Sequence, residues 1–277
     1  MRIKQIISTL LKNKLALSST VFIITVVLLG IFAPIISPHD PLEVNITQKF
    51  LPISLEYPMG TDNMGRCIFS RIVYGIRSTL GFAMIASSIS AVMGTFIGMF
   101  SGFVGGKVDQ FIMRICDMMY AFPSLVLTLV IVSFLGPGMM NIIIAMIIVQ
   151  WIWYARVARN LTQSEREHAY ISSSKLSGSS NLKILSKHIF VNIFPQLLAI
   201  MTIDFGHTIL AISGFSFLGL GVQAPTPEWG MMINDGRAFM HSNPMIMFWP
   251  GIMILLMVLS ANIIGDKVRD TLEEVSG

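Results

Sequence analysis

Charge is what this sequence lacks. Asp, Glu, Lys and Arg together make up 12% of its 277 residues, while hydrophobic residues make up 53%. An ordinary globular protein carries roughly 25% charged residues, and a soluble domain of this size could not cover its surface with so few. The same figures exclude a disordered chain, which needs low hydrophobicity and high charge. Cysteine is nearly absent: Cys67 and Cys116 set no disulfide framework. No G-x-x-x-x-G-K-[ST], H-E-x-x-H or Cys-x-x-Cys occurs, so any energy source lies in another chain or in an ion gradient. The net charge is only +4 and no basic block exceeds a few residues, so nucleic acid is not an expected partner.

What is present is a series of long apolar runs: 15–37, 78–101, 118–135, 139–154, 193–222 and 245–265. Each is of the order of the roughly 20 residues that cross a bilayer. The expected fold class is an all-α integral membrane protein with six transmembrane helices in a single domain over 1–277. The first run follows the basic segment Met1–Lys14. It is too long for a typical signal-peptide core and ends in Pro34, Pro38 and Pro41 without a small-residue cleavage site. It therefore reads as an uncleaved span.

The distribution of basic residues orients the chain. With the N-terminus inside, the inner segments hold four, two, six and two of the 19 Lys and Arg in chain order, and the outer loops hold five. The reverse orientation would export the six of the loop 156–192, against the positive-inside rule. Both termini are expected to be cytoplasmic, with Cys67 outside and Cys116 at the inner side. Gly102–Asp117 reads as a short glycine-rich connection, and Gly136-Pro137-Gly138 as a tight turn.

Three stretches carry specific patterns. The inner loop 156–192 contains Ser172-Ser173-Ser174-Lys175-Leu176-Ser177-Gly178, with His188 ten residues after the glycine. Tyr57-Pro58-Met59-Gly60-Thr61-Asp62-Asn63-Met64-Gly65-Arg66 precedes Ser70-Arg71 and Tyr74-Gly75-Ile76-Arg77-Ser78. Ser216-Phe217-Leu218-Gly219-Leu220-Gly221-Val222 leads to Ala224-Pro225 and Glu228-Trp229-Gly230.

Together, in this order, they resemble the C-type permeases of the dipeptide, oligopeptide and nickel importers of the ATP-binding-cassette class. The inner loop is similar to the family's Glu-Ala-Ala-x-x-x-Gly coupling segment, with serines at the Glu-Ala-Ala positions and Val191 where a proline is usual. Cys67 stands where an acid is usual. The resemblance covers nearly the whole chain and implies a type I importer permease, not an enzyme, in a bacterial inner membrane. It implies a second homologous permease, two ATPases that use ATP and Mg, an extracytoplasmic substrate-binding protein, surrounding lipid, and no cofactor on this chain. The Asp204-Phe205-Gly206-His207 stretch and Glu228–Asp235 look closer to nickel-type than to peptide-type permeases, so nickel or a related divalent metal, bare or chelated, is the first expected cargo. Dipeptides or oligopeptides are the alternative. An ion-coupled secondary transporter is a further one, for which the expected inverted repeats are not seen.

The resemblance makes Tyr170, Ile171, Ser173, Ser174, Leu176 and Gly178 candidates for ATPase coupling, through a short helix ended by glycine and seated in a partner groove. The competing reading packs Tyr170, Ile171 and Leu176 on the chain's own helices. Within the spans Asp204 stands out. Nine residues past Pro195, it lies about 14 Å along the helix, near the middle of a core of about 30 Å. His207, three residues on, shares its helix face. Either the two line a cation path, where carboxylate and imidazole suit a borderline ion such as Ni²⁺, or they hydrogen-bond each other or a neighbouring permease. Asp62 and Cys67 invite a metal reading, yet turn chemistry with Asp62 as a cap accounts for them. Arg66, Arg71 and Arg77 are expected at the membrane interface or against the second permease. No firm metal ligand emerges. Gly206, Ala211, Ser213 and Gly214 suit close packing against that second permease.

Overall fold

Apolar runs this long form helices because lipid leaves no other partner for backbone N–H and C=O groups. The computed structural model of the chain describes residues 8–276, and among these the only β pairing is an isolated bridge between Thr61 and Cys67. Arg2 and Lys4 of the basic N-terminal segment lie outside the described residues. The main helices are α1 (Lys14–Ile31), α2 (Ile68–Val104), α3 (Gly106–Tyr120), α4 (Ser124–Leu135), α5 (Met139–Arg166), α6 (Ala169–Leu176), α7 (Phe190–Phe217), α8 (Trp229–Gly236) and α9 (Met245–Ser276). Five continuous helical stretches (α1, α2, α5, α7 with its lead-in from Asn181, and α9) are long and apolar enough to cross a membrane; α3 and α4, bent by 85° at their junction, give a sixth if counted as one span.

That bend falls near the start of the expected run 118–135, at Pro123. Proline has no N–H and disfavours helix at the preceding residue, and Pro123 sits extended, with ψ 127°, between α3 and α4. The expected connection 102–117 is itself mostly helix. Two of its acids pair with basic residues of α5: Asp109 takes both Nε and an NH2 group of Arg159, and Asp117 takes Arg156. Ser101 adds a 2.6 Å bond to Asp109.

Helix α2 has 37 residues, about 55 Å at 1.5 Å per residue, so it extends well beyond a bilayer core. It packs along α5 through Gly94, Gly98 and Gly102. A Cβ on these would lie 2.3, 2.1 and 2.7 Å from the carbonyl oxygens of Trp151, Ala155 and Arg159. Only residues without a side chain let two backbones approach this closely. Gly206, expected to meet a second permease, instead lies against Ala261 and Val258 of α9 within the chain, whereas Gly214 has open space.

Of the three arginines expected at an interface, Arg66 and Arg71 are internal and Arg77 is exposed. Arg77 donates to the carbonyls of Gly30 and Ile31 at 2.6 and 2.7 Å, satisfying the end of α1. Arg66 and Arg71 are buried in a cluster with Asp62 and with Asp235 of α8. Asp62 also accepts from the Met64 and Arg66 amides, so it is a turn cap and an ion-pair partner. Among the described residues no group of three or more His, Cys, Asp or Glu is placed to hold a metal.

Candidate functional site

Two regions gather the candidate residues. The first is the loop between α5 and α7. Helix α6 ends in a full Schellman motif: the Gly178 amide donates to Lys175 O at 3.1 Å and the Ser179 amide to Ser174 O at 3.1 Å, with Gly178 at φ 78°. A Cβ at Gly178 would meet nothing within 4 Å, so the glycine answers to its left-handed backbone and not to crowding. Leu176, 89% exposed, projects from the last turn. Ser173 and Ser177 return their hydroxyls to carbonyls one turn back, and Ser174 contacts His188 at 3.4 Å.

Ile171 must be removed from the docking set. It is buried in a cluster with Met99, Ala158, Ile184, Ile189 and Ile193, and anchors α6 to the body of the chain. Tyr170 is half-exposed and its phenol bonds Glu165 at the end of α5, while the Asn192 amide at the start of α7 donates to Tyr170 Oη at 2.6 Å and to Glu165 Oε1 at 3.0 Å. Asn192, missed by sequence reasoning, thus closes a brace joining α5, α6 and α7. A π-helical stretch, Ile184–Ile189, runs directly into α7.

The second region is a cavity of about 900 Å³ between α5, α7 and the break that separates α3 from α4. Asp204, His207, Gln150 and Arg269 are among its polar lining, with Trp153 and Phe122 among the apolar walls. Asp204 and His207 therefore share a wall, but the imidazole does not hold the carboxylate. Tyr154, fully buried, donates to Asp204 Oδ2 at 2.6 Å, and Thr208 is a further side-chain hydrogen-bond partner of the same carboxylate. Gln150 Nε2 donates to Thr208 Oγ1 at 3.4 Å. The signal was present as two polar pairs at i, i+4 spacing, Gln150/Tyr154 and Asp204/Thr208, each lining one helix face.

At the other side of the chain, Glu228 caps α8. Its carboxylate accepts from the Gly230 and Met231 amides at 3.0 and 2.9 Å and from Thr79 at 3.2 Å. Full burial pushes its carboxyl above the usual glutamate range; the Gly230 and Met231 amides and the Ser216 and Thr79 hydroxyls pull it back. Trp229 is buried against Gly75 and donates to Ile72 O at 3.1 Å. The Glu228-Trp229-Gly230 stretch thus locks α8 onto α2.

A helical membrane body, a projecting short helix and a cavity lined by Asp204 and His207 describe a transport subunit. The sequence matches "Binding-protein-dependent transport system inner membrane component" over residues 94–274, and "N-terminal TM domain of oligopeptide transport permease C" over residues 2–52. The chain belongs to the family of binding-protein-dependent transport system inner membrane components. It is 40% identical over 236 residues to the nickel transport system permease protein NikC of Escherichia coli, covering 85% of each chain. It is 40% identical to the dipeptide transport system permease protein DppC of Alkalihalophilus pseudofirmus, over 95% of this chain and 86% of that one. The metal-staphylopine import system permease protein CntC of Staphylococcus aureus is 39% identical, over 95% and 91%. A chain of the inward-facing MetNI methionine ABC transporter shares the fold, with a TM-score of 0.59 and 18% identity over 72% of this chain and 95% of that one. The protein is a multi-pass permease subunit of an ATP-binding-cassette importer in a bacterial inner membrane, not an enzyme. In this family, ATPases, a substrate-binding protein and, in general, a second permease complete the transporter.

Proposed function

We propose that this permease passes nickel or a related divalent metal, free or chelated, along a path lined by Asp204 and His207. The observation that carries this reading is the position of both side chains on one wall of the 900 Å³ cavity. A carboxylate inside a membrane domain is costly unless it faces protein or water, and imidazole with carboxylate suits a borderline divalent ion. The permeases of the nickel and metal-staphylopine systems, at 40 and 39% identity, support it.

Dipeptide import is the second reading, supported by equal identity to the dipeptide permease and by a cavity far larger than one hydrated ion. A water takes about 30 Å³ of liquid volume, so an ion with six waters fills on the order of 200 Å³.

On this reading both termini are cytoplasmic and the chain is one transmembrane domain with 156–192 as its coupling loop. One homologous permease pairs with it, and two ATPases use ATP and Mg below. Leu176 and the exposed face of Tyr170, Ser173 and Ser174 dock in an ATPase groove, with Gly178 fixing the end of the lever. Uptake of labelled nickel and of a labelled dipeptide in a strain lacking this gene, restored with wild type or Asp204→Asn, tests the assignment. Restored nickel uptake that Asp204→Asn abolishes, per assembled complex, supports the metal path. Restored dipeptide uptake alone moves the chain to the second reading.

A further inference from the structure

Tyr154 and Thr208 take no part in lining the cavity, yet both are fully buried immediately behind residues that do. Gln150 and Tyr154 lie one turn apart on α5, and Thr208 and Asp204 one turn apart on α7. The two helices are therefore joined by two polar rungs: Gln150 to Thr208 at 3.4 Å, and Tyr154 to Asp204 at 2.6 Å. Thr208 also reaches the Asp204 carboxylate, so the rungs are cross-connected.

The arrangement is asymmetric in chemistry as well as in position. The buried back pair contributes hydroxyl groups. The front residue Asp204 contributes a carboxylate to the cavity wall, whereas Gln150, whose Oε1 is itself buried, reaches back to Thr208 through its Nε2. A carboxylate has about four acceptor sites, and Tyr154 and Thr208 engage it from behind. His207, Arg269, Tyr120 and Ser124 are further polar residues on the cavity wall.

We propose that Tyr154 and Thr208 are positioning residues which hold the Asp204 carboxylate as an acceptor for the positive group of the cargo. This rests on the path reading of Asp204 given above and deepens it. The chemistry recognised is a divalent cation or an ammonium group, both of which seek oxygen acceptors. A phenol fixed at 2.6 Å removes the rotational freedom the carboxylate would otherwise lose on meeting cargo, so its effect is on affinity and not on turnover.

The test uses the whole transporter, with its second permease, ATPases and binding protein, in proteoliposomes. Nickel chloride and labelled dialanine are the probes. Tyr154→Phe and Thr208→Val each keep shape and delete a hydroxyl. Each is expected to raise KM for the transported probe by about fivefold, the worth of one hydrogen bond, while maximal rate per complex holds. In an Asp204→Asn background the same changes add nothing, because the group they position is gone. A merely structural role would lower yield or thermal stability, leave KM unmoved, and add fully to Asp204→Asn; that result overturns the proposal.

A readout without cargo gives an independent answer. A membrane-permeant carbodiimide modifies Asp204, scored by mass spectrometry of the purified complex. Tyr154→Phe frees the carboxyl and speeds its modification by about fivefold, whereas an unchanged rate overturns the positioning role. The two levels separate cleanly. Wild-type uptake by Asp204→Asn removes the path reading itself; impaired Asp204→Asn beside wild-type KM in Tyr154→Phe removes only this inference.

Discussion

Asn192 and Glu165 stand 27 residues apart in sequence and 3.0 Å apart in space, with the amide of the first donating to the carboxylate of the second. Tyr170 bonds both. The lever helix α6 is therefore not a pendant loop; it is pinned to the end of α5 and the beginning of α7.

The end of that lever depends on Gly178. A left-handed φ of 78° with open space around it predicts that Gly178→Val costs about 1–2 kcal/mol of local strain, and that Gly178→Asn, which tolerates this conformation, costs much less. Co-purification of the ATPases and uptake should fall in the valine variant and stay near wild type in the asparagine variant. Equal behaviour of the two would detach coupling from this backbone geometry.

Orientation needs new reporters, because Cys67 and Cys116 are both buried. Leu55 and Leu182 are fully and 76% exposed. In a chain with both native cysteines replaced, Leu55→Cys should react with an impermeant thiol reagent on spheroplasts, and Leu182→Cys only after permeabilisation. The opposite pattern would invert the topology.

Helix α2 should tolerate no side chain at Gly98. Its Cβ would sit 2.1 Å from Ala155 O, a backbone atom that cannot swing aside. Gly98→Leu is expected to abolish accumulation of folded protein in the membrane, and Gly98→Ala to reduce it severalfold through overpacking of about 1–3 kcal/mol. Gly214→Ala, with nothing within 4 Å, serves as the control and should express normally.

Glu228 links stability to pH. Its folded value lies above the ordinary glutamate value, so between the two the folded chain keeps a proton that the unfolded chain releases. Stability therefore falls as pH rises through that interval. Glu228→Gln keeps an acceptor for the α8 amides and should flatten the slope, seen as the thermal midpoint in detergent across pH. Parallel curves for variant and wild type would show that another group sets the dependence.

The apolar runs made most spans legible, because hydrocarbon tolerates few other sequences. The break at Pro123 and helix α3 were not, since Asp109 and Asp117 look like loop charges until Arg159 and Arg156 arrive from α5. The glycine at 178 could be read as a helix end from its spacing alone. Ile171 could not be assigned: an apolar residue on a short helix looks the same whether it meets a partner or its own core. Asp204 was conspicuous as a lone acid, but Tyr154 marked only the end of the apolar run 139–154, and only the tertiary fold brings the two together.

The glycine stripe of α2 has a mechanical consequence. Backbones that interlock at Gly94, Gly98 and Gly102 can neither slide nor rotate past one another without collision, so α2 and α5 travel as a single beam. The seam between α5 and α7 is of another kind: it includes the hydrogen-bonded rungs at Gln150–Thr208 and Tyr154–Asp204. Of these two seams, the first is locked by backbone contact, and the one that carries the carboxylate is held by side-chain hydrogen bonds instead.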